Sequence, residues 1–205
     1  MLNRYARAFF TAIFTPIARF FLKMKISPDA VTLVGTLGVM AGALCFYPRG
    51  SFFVGTLVIT AFVFSDLIDG TMARMSKRKD KFGAFWDSTL DRLADAAVFG
   101  ALAYWFARGG DQPVLSAICF ACMGLGAVVS YARARAEGLG VDANVGIVER
   151  SERLVGSLVA TGLDGLGVPY VQAVTLWAIA IGSFVTLVQR VMLVRKELLK
   201  GEAVA

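Results

Sequence analysis

The sequence predicts an all-α integral membrane protein: six transmembrane helices preceded by an N-terminal amphipathic interfacial helix. Three observations predict it. Hydrophobic residues make up 57% of the 205, mean hydropathy is +0.67, and the apolar residues fall in runs of membrane-crossing length separated by short loops. A chain this apolar is not an ordinary soluble domain, and residues 1–205 read as one membrane domain. Cys45, Cys119 and Cys122 all lie in apolar runs and read as packing residues. The net charge of +6 is spread over short loops, which favours anionic membrane lipids and phosphorylated substrates over nucleic acid as partners.

Residues 2–23 mix Arg4, Arg7, Arg19 and Lys23 with Phe9, Phe10, Ile13, Phe14, Ile17, Phe20 and Phe21. The apolar spacing of three and four is that of a helix lying in the interface, bent near Pro16. Basic residues follow the apolar ones and no small-residue cleavage site is evident, so the segment reads as retained. Ser27 as cap, Pro28 at the first helical position and Asp29 in the first turn start span one, residues 28–47. Pro48, Arg49 and Gly50 turn the chain into span two, residues 51–74. A basic loop with Lys77, Arg78, Lys79 and Lys81 leads to span three, residues 82–106, and Gly109, Gly110 and Pro113 turn it again.

Span four, residues 114–136, ends in Arg133 and Arg135. The loop from Glu137 to Ile147 holds three glycines and an asparagine, so it is irregular and shapes a site. Span five covers 148–163, and Asp164 to Val168 turns it. Span six, residues 169–199, is about 46 Å long if helical, so its charged end projects from the bilayer. Of the 21 Lys and Arg, 18 lie in the N-terminal helix, the loop after span two, the region between spans four and five, and the C-terminal tail. The positive-inside rule makes those regions cytoplasmic, with both termini and the acid cluster described next on that side of the plasma membrane.

Asp66 and Asp69 in span two, and Asp87 and Asp91 in span three, are four acids inside apolar segments. Each costs about 2.5 to 3.5 kcal/mol within a membrane helix, so a cavity, partner or ion must offset it. Spacings of three and four put each pair on one helix face. With Arg74 and Phe82 as the helix ends, Asp69 and Asp87 lie roughly 7.5 Å inside, and Asp66 and Asp91 roughly 12 to 13.5 Å. Oxygen ligands with dense negative charge suit Mg²⁺ or Mn²⁺, and the chain has no histidine. Two other readings of the acids are a structural network with Arg74, Arg92 and the lysines, and a divalent cation transporter.

The run Asp66-x-x-Asp69-Gly70-x-x-Ala73-Arg74, then Gly83, Asp87 and Asp91, resembles the signature of the CDP-alcohol phosphotransferases at every position. The resemblance implies transfer of a phosphatidyl group from CDP-diacylglycerol to an alcohol, with release of CMP, and a homodimer. For that chemistry two divalent ions about 3.5 to 4 Å apart would be held by Asp66, Asp69, Asp87 and Asp91. Asp91 would take the proton of the attacking hydroxyl. Asp69, Gly70, Ala73, Arg74 and Gly83 would bind CDP-diacylglycerol, the small residues admitting cytidine and ribose and Arg74 meeting phosphate; close helix packing is the other reading of the small residues. Asp29 and Thr32 are further candidates for the nucleotide, against simple capping.

Arg133, Arg135, Arg150 and Arg153 converge at the cytoplasmic ends of spans four and five. Arginine at all four positions suits bidentate phosphate recognition, and positive-inside charge is the plainer alternative. An acceptor carrying its own phosphate fits. The run Ala132 to Gly140, with Asn144 to Arg150 and Arg153, resembles an actinobacterial branch of the family whose acceptor is inositol phosphate. The product would be phosphatidylinositol phosphate, made from 1D-myo-inositol 3-phosphate. The rival within the family uses glycerol 3-phosphate, as phosphatidylglycerophosphate synthases do.

Overall fold

The computed structural model describes residues 14–76 and 81–202, and their regular elements are all helices. Of the interfacial helix expected over 2–23, residues 14–23 form α1; residues 2–13 lie outside the described residues, as do Lys77, Arg78 and Lys79. No glycine marks the end of α1. Lys25 instead takes the left-handed conformation, φ 59°, and Ile26 N–H reaches Phe21 O while Lys25 N–H reaches Leu22 O. That is the Schellman pattern with a lysine where glycine is usual.

Helix α2, Pro28–Phe46, starts where the sequence places it: Ser27 Oγ accepts the Ala30 N–H at 3.2 Å. A 3-10 turn over Tyr47–Arg49 closes on Gly50, φ 70°. The second apolar run is two helices, α3 (Phe52–Val63) and α4 (Ser65–Met75), where the sequence suggested one. At the junction Leu67 N–H bonds Phe64 O, three residues back rather than four, and the Ser65 hydroxyl donates to Phe62 O at 2.6 Å. A serine hydroxyl competing for a helix carbonyl is a known cause of such a break in the ladder. Next come α5 (Lys81–Arg108), α6 (Pro113–Glu137), α7 (Arg150–Asp164) and α8 (Val171–Glu202). Helix α7 starts two residues later than expected because Glu149 is its cap, forming a capping box with Glu152.

The helices form two compact units, one running through Cys45 with Leu57–Val98, the other Phe46–Thr56 with Phe99 onward. In the first, Gly35, Gly38 and Gly42 share one face of α2 and meet Ser65, Phe62 and Ile59; a Cβ at Gly35 or Gly38 would collide with its neighbour. Small residues let membrane helices approach this closely. In the second, α8 packs on both α6 and α7. Buried polar pairs pin it, with Gln172 Nε2 donating to Thr161 Oγ1 at 2.9 Å and the Cys122 thiol facing Leu176 O at 3.4 Å. The Trp105 indole lies over Gly50 and Gly109 and edge-on to Phe52.

Among the described residues four helices are long and apolar enough to cross a membrane: Pro28–Arg49, Phe52–Met75, Pro113–Glu137 and Val171–Lys200. Their outward faces carry large apolar side chains, among them Val34, Leu44, Phe120, Val174 and Phe184. Helix α5 falls short of that apolarity because it carries Asp87, Asp91, Arg92 and Asp95, and α7 is only 15 residues long.

Candidate active site

The first unit holds the acids. Asp66 and Asp69 stand on α4, Asp87 and Asp91 on α5. Asp69 is buried, 8% exposed, and the Thr32 hydroxyl donates to its Oδ2 at 2.5 Å, with Pro28 O a further 3.1 Å contact of the same hydroxyl. Asp66 and Asp87 are close enough to act on Asp69 electrostatically, so three of the four acids share one region. Asp91 is half-buried and 3.7 Å from Arg92, which also reaches Asp95 at 3.9 Å. Asp95, 7% exposed, was missed in the sequence; it continues the row Asp87, Asp91 by another four residues. The ion-pair alternative therefore holds for Arg92, whereas Arg74 donates to Thr71 Oγ1 at 2.9 Å.

As the side chains stand, no group of three acids or thiols among the described residues closes on a common ion position. The donor set nonetheless fits a hard divalent ion: oxygen ligands only, clustered charge, and a threonine hydroxyl that orients one carboxylate from behind.

Small residues leave space beside the acids. Among the described residues a Cβ on Gly70 would meet only Arg74 Nη1, at 3.6 Å, so none of them packs tightly on it. Ala73 and Gly83 are half-buried and Arg74 is exposed. The hydrogen bond from Thr32 brings the first turn of α2 to Asp69, and Trp86 of α5 donates to Asp29 O at 3.4 Å. Thr32 is thus more than a capping residue. Trp86, stacked on Phe82 at 5.9 Å, was not anticipated from sequence; an aromatic one residue before a motif acid was its only signal.

The second unit holds the arginines. Arg153 on α7 is 1% exposed, and its Nη2 reaches Gly126 O on α6 at 3.5 Å. A Cβ on Gly126 would sit 2.9 Å from Arg153 Nε, so this glycine makes room for the guanidinium. Arg133 pairs with Glu137 at 2.9 Å. Arg150 opens α7, and Arg135 is exposed, about 200° round α6 from Arg133.

One arginine was missed. Arg190, 3% exposed in α8, donates from Nη1 to Val129 O at 2.7 Å, from Nε to Val145 O at 2.8 Å, and from Nη2 to Glu149 at 3.3 Å. It ties α6, the loop and the cap of α7 together. Its signal was present, since an arginine amid an apolar span is a functional candidate by default. Gly126, Val129 and Arg133 fall at i, i+3 and i+7, so Arg153, Arg190 and Arg133 all address one face of α6. Arg135 does not share it.

Three comparisons bear on this arrangement. A family model described as CDP-alcohol phosphatidyltransferase matches residues 25–195. The chain is 57% identical over 210 residues to the phosphatidylinositol phosphate synthase of Streptomyces avermitilis, covering 99% of this chain and 86% of that one, and 42% identical to the Mycolicibacterium smegmatis protein of the same name, covering 92% and 86%. Among solved structures it resembles Mycobacterium tuberculosis phosphatidylinositol phosphate synthase with CDP-DAG bound, at TM-score 0.85 and 39% identity over 89% of this chain and 94% of that one. The complex of that protein with manganese and citrate aligns at TM-score 0.83, 39% identity and 88% of each chain.

Proposed function

Because the chain belongs to the CDP-alcohol phosphatidyltransferase family, we propose that it transfers the phosphatidyl group of CDP-diacylglycerol to 1D-myo-inositol 3-phosphate, giving phosphatidylinositol phosphate and CMP. An acceptor hydroxyl oxygen bonds to the phosphatidyl phosphorus as the bond from that phosphorus to CMP breaks. The hydroxyl proton passes to Asp91, placed on α5 one turn from Asp87. Asp66, Asp69, Asp87 and Asp91 would hold two divalent ions, Mg²⁺ or Mn²⁺, with Thr32 fixing Asp69. Bound there, the ions neutralise the pyrophosphate and the departing CMP. The space beside Gly70, Ala73 and Gly83 takes the cytidine end of the lipid, with Arg74 on its phosphate and Asp29 and Thr32 lining the α2 side.

For the acceptor, one observation carries the reading: buried Arg153 and Arg190 with Arg133 on one face of α6. Burying guanidinium groups in an apolar bundle is costly; Val129 O, Val145 O and Glu149 offset that cost for Arg190, and a bound phosphate would offset more of it across the set. Arg150 adjoins the set through its neighbour Glu149, and Arg135 adds positive charge at the helix end. A phosphorylated polyol suits the planar forks of these arginines; an uncharged alcohol makes no use of them. Purified protein with Mn²⁺ and labelled CDP-diacylglycerol is expected to form lipid product with inositol 3-phosphate. Product from glycerol 3-phosphate alone overturns the acceptor assignment.

We also read residues 1–205 as a single membrane domain, since one family model runs through both units. Helices α5 and α7 cross the bilayer with the four more apolar spans, making six, and the N-terminal segment lies in the interface. The Lys and Arg distribution puts both termini and the acids on the cytoplasmic side of the plasma membrane. The protein acts as a homodimer.

A further inference from the structure

The second unit has an apolar groove that neither the acids nor the phosphate-binding arginines use. It measures about 770 Å³ and runs between the end of the α6–α7 loop and the last turns of α8. Ile147, Met192, Leu193 and Leu199 line it, and Arg195 and Lys196 stand among them. Ile147 and Met192 are 60% and 66% exposed. The loop is held in place to present Ile147. Gly146 takes φ 151°, where a side chain would strike Thr186, and the Thr186 hydroxyl accepts the N–H groups of Ile147 and Val148 at 3.1 and 3.0 Å.

Depth separates the two kinds of lining. About 20 helical residues cross the hydrocarbon of a bilayer, so α8, counted from Val171, leaves it near Arg190. Arg195 and Lys196 then stand roughly 7 to 9 Å further on, in the headgroup layer, while Met192 and Leu193 sit at its lower edge. The nearby acid does not cancel these cations: Glu197 is paired with Lys200 at 2.9 Å and is not part of the lining.

Resting on the reading that α8 crosses the membrane, we propose that this groove binds one anionic bilayer phospholipid, an acyl chain against Ile147, Met192 and Leu193 and the headgroup phosphate between Arg195 and Lys196. The size lies within the roughly 300 to 1,000 Å³ that holds a compact ligand. The charge selects the occupant. A two-fold contact with a second copy would set the same cations against each other, whereas an anionic headgroup gains from each.

The test uses the full-length protein in mild detergent with phosphatidylglycerol or phosphatidylcholine of identical acyl chains, and counts retained lipids by native mass spectrometry. Wild type is expected to retain phosphatidylglycerol in preference. The double substitution R195Q/K196Q removes two cations from the headgroup and is expected to weaken its binding about 30-fold; E197Q/K200Q, which removes the neighbouring ion pair as a unit, is expected to leave it unchanged. Equal retention of the two lipids by wild type, or an unchanged preference in R195Q/K196Q, overturns the proposal. So does a parallel rise in KM for CDP-diacylglycerol in the double variant, which makes the occupant the substrate. An intersubunit disulfide in M192C membranes also overturns it, in favour of a second copy.

Discussion

Thr32 is a small side chain with a large positional effect. Its hydroxyl holds Asp69 from a helix 37 residues earlier in the chain, and such outer partners set ligand orientation. Thr32→Val keeps the shape and removes the donor. Metal affinity is expected to fall about 10- to 100-fold, read by Mn²⁺ titration of turnover, with the fold intact by circular dichroism. Asp87→Asn should abolish transfer, and manganese-soaked crystals are expected to show an anomalous peak between α4 and α5 in wild type and none in the variant; turnover at the wild-type rate would remove the acids from the mechanism. The four motif acids were legible because charge in an apolar run is conspicuous. Thr32 was a weaker signal, since a hydroxyl in a first turn is equally a capping residue until its partner is seen.

Helix α6 shows what element-level pattern can and cannot give. Its start was readable to within a residue, Val114 against Pro113, and so was its end in arginines, but nothing in the sequence distinguishes Gly126, whose role shows only in the Arg153 guanidinium against it. Gly126→Val is expected to push that guanidinium aside and raise KM for the phosphorylated acceptor at least tenfold, with KM for CDP-diacylglycerol unchanged; a change in the lipid constant alone would contradict the assignment. Arg190→Gln leaves the Val129 and Val145 carbonyls short of a donor. Each unsatisfied carbonyl costs about 1 to 3 kcal/mol, visible as a lowered Tm. The helix break at Phe64 was invisible to hydropathy because Phe52–Met75 is apolar across it; only the Ser65 hydroxyl distinguishes the junction. Likewise the cap of α7 is a glutamate, outside the residues usually taken as helix starts.

For the molecule as a whole, composition was enough to fix an all-helical membrane architecture, because no soluble core accounts for this much apolar surface. It was less informative where function intrudes. Helices α5 and α7 carry charges proposed above for the site; those on α5 lower its apparent fitness to cross a bilayer, and α7 is in addition short. Cysteines placed singly in the loops of the intact protein and labelled from either side of sealed vesicles should report six crossings with both termini on one face; termini on opposite faces would refute that topology. Chelation by EDTA is expected to stop transfer and leave the helical circular dichroism signal unchanged, with activity restored by Mn²⁺ or Mg²⁺. The indole of Trp105 has a bearing on descent. Gly50 and Gly109, separated by 59 positions, both face the same ring, which a Cβ at either would strike. Across related lineages these three sites should change together, with larger residues entering at 109 where position 105 has lost its bulk, while the left-handed turn at Gly50 keeps its own claim on glycine.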